Sequence, residues 1–314
     1  MKRLVIAFAL ALLLSPVAHA KLQIVTTTTD FADLARQIGG DLVDVQSVMK
    51  GPENVHNVMA KPTEMLKVNR ADLFVHSGLD SEPWRNNLLK GARNPRVQQG
   101  KPGNVDMSAG VELIDVPTTR IDRSMGDVHA YGNPHYQLSP ANAQRMTATL
   151  TRAMADADPA NAQAYRANAT RLVNELADLH KELRDKLKPY GTIKIATYHD
   201  AWKYFGKAFG IETAVTIEPK PAITPSPAEM RRVIESIKEQ GIKVVIVETY
   251  NSFDQAKYVA DAAGARVIVL PDHVNGLPEV DTYQKLFRYD VEQIIEAAKA
   301  GGAAPATQEK SDAR

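Results

Sequence analysis

The sequence predicts an α/β fold of two lobes, each a mostly parallel sheet flanked by helices, joined by one long spine helix. Three observations predict it. Short apolar, β-branched runs alternate with helix-like stretches, the pattern of parallel sheets. The runs fall into two sets with a long helical segment between them. About 290 residues follow the N-terminal leader, more than most single cores accommodate.

The leader comes first. Lys2 and Arg3 give a basic start, an apolar run spans Leu4 to Leu14, and Ser15-Pro16 breaks it. Ala18-His19-Ala20 then places small residues where a signal peptidase reads. That order is a secretory signal over residues 1–20, cleaved before Lys21, with the mature protein expected in the periplasm. The apolar run is too short to span a bilayer, and no later segment approaches that length. The chain has no Cys, which excludes a lipid-modified cysteine anchor, disulfides and thiolate metal ligands. Loss of Lys2 and Arg3 takes the 38 basic side chains to 36 against 37 acidic ones, a formal charge of −1. Nothing in that balance recruits nucleic acid or an anionic membrane.

The first lobe is expected over residues 21–157, with strands at Leu22–Thr28, Val43–Met49, Asp72–His76 and Val111–Val116 and a helix at Phe31–Ile38. Asp158-Pro159 reads as a helix N-cap with proline at the first helical position. Leu172, Leu176, Leu179, Leu183 and Leu187 then recur at helical spacing until Pro189 and Gly191 stop the run. This spine, residues 158–189, is roughly 30 residues and about 45 Å long. Its apolar stripe is short for a coiled-coil seam, so a monomer is expected. The second lobe, residues 190–300, carries strands at Ile193–Tyr198, Thr213–Ile217, Lys243–Glu248 and Arg266–Leu270, and a helix at Pro227–Gln240. The tail, residues 301–314, lacks periodicity and is expected to be disordered. No internal repeat is evident as sequence identity.

Eight histidines are present, and His19 leaves with the signal. His56 follows the strand ending near Met49. His135 lies in Gly132-Asn133-Pro134-His135, ahead of Ser139-Pro140, which should cap a helix. His199 follows the strand Ile193–Tyr198, and Asp272 follows Arg266–Leu270. Ligands of open α/β sheets bind beyond the carboxyl ends of strands. These loops, two per lobe, can face each other across a cleft, and three imidazoles with one carboxylate make a four-ligand metal site there. Neutral imidazole suits zinc, copper, iron and nickel, and a carboxylate widens the choice towards manganese. The other histidines read differently. His180, within the spine, is expected to be solvated, and His76 ends a strand as a satisfied partner. His129 precedes His135 by six residues and is an auxiliary ligand, a metal-loading residue or a loop residue. His273 adjoins Asp272, and neighbouring side chains there diverge, so only one of the two is expected to be a ligand.

The blocks around these residues resemble the metal-specific solute-binding proteins of ABC importers, the cluster A-I group that handles zinc and manganese. They are Val25-Thr26-Thr27-Thr28 with Ile38-Gly39-Gly40-Asp41, Gly51 to His56 with Lys61-Pro62-Thr63, Asn133-Pro134-His135-Tyr136, Thr197-Tyr198-His199-Asp200-Ala201-Trp202, and Asp272 with Thr282-Tyr283. The resemblance covers nearly the whole mature chain. It implies capture of a divalent metal at His56, His135, His199 and Asp272 in the interlobe cleft and delivery to an ABC-type permease in the inner membrane. In that family the third ligand varies between His and Glu. His199 therefore favours Zn2+, with Mn2+ or iron as the alternative. The segment Thr118 to His129 is short and holds one His, unlike the long His-rich loop of many zinc-specific relatives, and Gln137 stands where Trp is common. A secreted zinc hydrolase is a rival reading, but the chain has neither His-Glu-x-x-His nor Gly-x-Ser-x-Gly. A periplasmic metallochaperone is a second rival. Glu248, at the end of its own strand, is a candidate to orient one ligand imidazole.

Overall fold

A computed structural model describes residues 20–118, 129–220 and 223–302 of the chain. The signal at 1–20 lies outside these but for Ala20, as does the tail beyond residue 302.

The first sheet contains β1 (Leu22–Thr26), β2 (Val43–Ser47), β3 (Leu73–His76) and β4 (Asn104–Asp106), in the order β2-β1-β3-β4. The second contains β5 (Lys194–Thr197), β6 (Glu212–Thr216), β7 (Val244–Glu248) and β8 (Arg266–Leu270), in the order β6-β5-β7-β8. Every strand pairing within the two sheets is parallel. The strand order of one sheet therefore repeats in the other, although no sequence repeat announces it. Parallel pairing needs crossover connections, and helices supply most of them. They are α1 (Thr29–Gly39), α2 (Pro62–Arg70), α3 (Arg85–Ala92), α6 (Lys203–Phe209), α7 (Pro227–Glu239) and α8 (Phe253–Ala263). The central strands β3 and β7 are buried along their whole length, as strands covered on both faces must be.

One expected strand is absent. Val111–Val116 forms no strand, and the fourth position of the first sheet goes to Asn104–Asp106, whose Asn104 pairs with Phe74. Leu113 and Val116 are 36% and 51% exposed, so no partner sheet covers them, and Asp115 has a positive φ of 54°, which breaks extended backbone. The true edge strand is three residues long, too short and polar to leave a period.

The central helical layer is an αα-hairpin of α4 (Pro140–Ala157) and α5 (Ala162–Leu187). Ser139 Oγ accepts from Asn142 N, so Ser139-Pro140 is the helix start its sequence indicates. A 3₁₀ turn at Pro159–Asn161 leads into α5, and another at Lys188–Tyr190 leaves it. Tyr165, Ala169 and the five leucines at helical spacing form the buried stripe of α5. Each buried leucine contributes about 1.5–3 kcal/mol relative to exposure. The stripe belongs to a hydrophobic cluster that runs unbroken from Ile24 and Leu73 in one lobe to Ile195 and Ile246 in the other. The last helix, α9 (Tyr283–Ala300), packs against both α5 and β8.

The lobes are also tied directly. Asp30 at the start of α1 accepts from His273 Nδ1 and, at 2.9 Å, from Val274 N, while Asp33 Oδ2 accepts from Tyr283 N at 2.9 Å. A Cβ on Gly51 would collide with the Asn275 backbone, so the loop after β2 touches the loop after β8 at a point only glycine fits. No helix among the described residues is long and apolar enough to cross a membrane.

Candidate metal centre

The loops after β2, β5 and β8 and the segment ahead of α4 carry the candidate residues. Two use one local device. In Asn54-Val55-His56 the Asn54 side chain accepts from His56 N at 2.9 Å, and in Asn133-Pro134-His135 the Asn133 side chain accepts from His135 N at 3.0 Å. Each Asx turn fixes the backbone that presents its histidine. Trp84 Nε1 donates to Val55 O at 2.7 Å and braces the first turn, and Asn133 Nδ2 reaches across to Asp200 O at 2.9 Å.

The imidazoles are then oriented. His56 Nδ1 donates to the Ser81 carbonyl at 2.8 Å, which leaves its Nε2 a bare lone pair, buried and without a partner. His199 Nδ1 donates to Glu218 Oε2 at 2.8 Å, which turns its Nε2 towards His135. Glu218 follows β6, the strand beside β5, and its own N donates to Tyr198 O at 3.0 Å. The expected acceptor Glu248 instead takes a hydrogen bond from Trp202 Nε1 at 2.7 Å and another from Asn251 Nδ2 at 2.7 Å. His135 Nε2 lies 3.1 Å from His199 Nε2. A proton on one of the two nitrogens makes this a hydrogen bond, and in its place one ion could take both, since a tetrahedral centre with bonds near 2.0–2.1 Å has an N···N edge of about 3.3 Å.

His56, His135 and His199 offer ligating atoms that all lie within 4.8 Å of one another. Asp272 is not part of that trio. It is wholly buried, its Oδ2 accepts from the Tyr250 hydroxyl at 2.6 Å, and its Oδ1 has no partner. His129 has its ring centroid 4.8 Å from that of His56 and a buried Nε2 with no partner. A cavity of about 130 Å³ opens beside the trio, lined by His129, His135 and His199 with Asp115, Asn133 and Asp200.

Electrostatics keep most of these nitrogens bare. Burial, then the nearby His129 and His199, lowers His56 to about 3, and burial lowers His129 to about 4 and His135 well below the ordinary range. Burial also acts on His199, but its bond to Glu218 and the charges of Glu248 and Asp272 outweigh it and raise the net value. Burial and then Asp272 raise Glu248 to about 7, opposed by His199. His273 turns away from the trio to Asp30. Burial is overcome there by Asp272 and Asp30, and its pKa rises to about 9.

The remaining histidines are structural. His76 is satisfied by Asn104, Gly78 N and Arg85. His180 is not solvated: it is half-buried, bonds the Ala208 carbonyl at 2.8 Å and packs edge-on against Phe209. It caps an open carbonyl in the last turn of α6, a partner invisible from its own helix. Gln137 is buried and holds the C-terminal loop through a 3.5 Å contact to Asp272 O and a bond from the Tyr283 hydroxyl to its own carbonyl.

The family described as "Zinc-uptake complex component A periplasmic" matches residues 24–297. The chain belongs to this zinc-uptake component A family. The iron-binding protein YfeA of Yersinia pestis is 28% identical over 87% of this chain and 85% of its own. The manganese ABC transporter substrate-binding lipoprotein PsaA of Streptococcus mitis is 25% identical over 88% of this chain and 89% of its own. A crystal structure of ZnuA superimposes with a TM-score of 0.75 at 25% identity, covering 88% of this chain and 99% of that one. The zinc-uptake family consists of metal-binding solute-binding components of ABC metal importers, not enzymes, and this chain is one of them.

Proposed function

We propose that this member of the zinc-uptake family captures zinc in the periplasm and hands it, as a monomer, to an ABC-type permease in the inner membrane. The proposed ligands are His56, His135, His199 and Asp272, with His129 as an auxiliary donor beside the trio. The observation that carries this reading is the convergence of three imidazoles within 4.8 Å, and the loop after β8 adds a buried carboxylate oxygen, Asp272 Oδ1, that has no hydrogen-bond partner. Three nitrogens and one oxygen form a closed tetrahedral set with no protein position reserved for a reacting water, which suits capture. The donor set favours zinc over manganese, since imidazole nitrogen suits zinc and manganese prefers oxygen. The names of the relatives do not choose between them.

Capture follows from the side chains. The bare nitrogens of His56 and His135 need lose no proton near neutral pH, so binding displaces few protons there. The ion separates the facing nitrogens of His135 and His199 and supplies the partner that Asp272 Oδ1 lacks. The hydrophobic cluster running through α5 resists a wide hinge, so release comes from shifts of the ligand-bearing segments. We further propose that the leader at 1–20 is removed, that 158–189 is the link between lobes at 21–157 and 190–300, and that 301–314 is a disordered tail.

Elemental analysis of protein purified from the periplasm, paired with zinc–manganese competition, tests the reading. One zinc per chain, lost in His199→Ala, is expected. Preferential manganese retention overturns the metal assignment, and a His199→Ala variant that still binds tightly overturns the ligand set.

A further inference from the structure

Tyr250 stands where it controls how Asp272 can bind. It lies two residues beyond β7 in a turn closed by Asn251, whose N donates to Glu248 O at 3.0 Å and whose Nδ2 donates to Glu248 Oε2 at 2.7 Å. The turn aims the Tyr250 hydroxyl at Oδ2 of Asp272, 2.6 Å away. His273 Nε2 stands 3.8 Å from that same oxygen. The other oxygen, Oδ1, is buried and partnerless. The two ends of one carboxylate are thus unequal, and with the residue wholly buried bulk water does not compete for either.

We infer that Tyr250 is a specificity-determining residue, which engages Oδ2 so that Asp272 can offer a metal only Oδ1. The inference rests on the ligand set proposed above and deepens it. A carboxylate held this way gives one bond, and with three imidazoles the count stops at four, the number zinc takes in closed sites. A carboxylate free at both ends can chelate and adds an oxygen donor, which suits manganese and other metals of higher coordination number. To chelate in this chain, Asp272 must break a hydrogen bond to a charged acceptor and leave a phenol unsatisfied. A bond of that kind corresponds to about tenfold or more in relative affinity. Tyr250 touches no ion and acts through Asp272.

Tyr250→Phe removes one oxygen atom and tests this in the full mature chain. Zinc and manganese dissociation constants are measured by chelator competition on wild type and variant. The manganese-to-zinc affinity ratio is expected to rise about tenfold. An unchanged ratio, including equal weakening of both metals, overturns the inference, because a purely structural hydroxyl would weaken both alike. A crystal structure of the zinc-loaded wild type gives a second reading that needs no variant. Asp272 bound through Oδ1 alone, with Oδ2 still on Tyr250, is expected, and a chelating Asp272 overturns the inference. Asp272→Asn separates the two levels: undiminished zinc binding there defeats the ligand set itself, whatever Tyr250 does.

Discussion

At the scale of single residues, the site is built from pairs, each a donor nitrogen and the acceptor that aims it. His56 is aimed by a carbonyl, His199 by a carboxylate. The difference matters, because a carboxylate raises the basicity of the imidazole it holds and strengthens it as a ligand. Glu218→Gln keeps a hydrogen-bond acceptor in place and removes the charge. Zinc affinity is expected to fall about tenfold to a hundredfold, read by competition with a chelator of known affinity. A change under about twofold would show that Glu218 only fills space. Three of the candidate ligands, His56, His199 and Asp272, were legible in the sequence as residues that follow recognisable strands, whereas His135 stood out by the capping Ser139-Pro140 behind it. Their orienting partners were not. Ser81 lies 25 residues from His56, and Glu218 lies one strand over from His199. Only sheet order, which no local pattern encodes, brings β6 beside β5. Glu248 is the acidic residue at a strand end that sequence points to, yet its carboxylate is held by Trp202 and Asn251. The repeated Asn-x-His spacing was a readable signal of two matched turns.

At the scale of elements, the helices were legible where capping and period agree, as at Ser139-Pro140 and along the α5 leucines. The edge strand β4 was not, because three residues carry no period and its place is set by pairing with β3. The contact between the loops after β2 and β8 is likewise non-local, and it carries a prediction. Gly51→Ala puts a methyl group into the Asn275 backbone, and overpacking of this kind costs about 1–3 kcal/mol. The strain falls between the loop that bears His56 and the loop that bears Asp272, so it is expected to separate two of the proposed ligands as well as the lobes. Leu176→Ala costs about 2–5 kcal/mol by leaving a cavity in the stripe of α5, far from any ligand. Both variants are expected to melt at lower temperature, and only Gly51→Ala is expected to weaken zinc binding, by about tenfold or more. Equal zinc affinity in the two, measured by titration at a temperature where both are folded, would show that the loop contact does not set ligand spacing.

At the scale of the whole molecule, buried titratable groups set opposing pH dependences. His56 and His129 have pKa values of about 3 and about 4, with His135 also depressed. Each binds fewer protons folded than unfolded, so each contributes stability above the unfolded value of about 6.5 that is lost as the pH falls. Burial raises Glu248 to about 7 and Asp33 to about 6, and raises Asp290 far above the ordinary carboxylate range. These bind more protons folded than unfolded, so acidification from pH 7 towards about 4 stabilises the protein through them. Each group of either kind contributes about 1.4 kcal/mol per pH unit across its own window. Burial lowers His76 and raises Asp200 as well, so four depressed histidines oppose four raised carboxylates and the metal-free protein is expected to be nearly level between about pH 6.5 and 4.5. Below about 4 the carboxylate gain is complete, while His56, at about 3, still resists protonation, so stability then falls. Thermal denaturation of the metal-free protein from pH 7.5 to 3.5 is expected to trace that plateau and its edge. Glu248→Gln removes one of the four compensating groups, so its melting temperature is expected to slope downward with acid across the interval where the wild type is flat. Matching slopes in the two proteins would show that Glu248 does not offset the buried histidines.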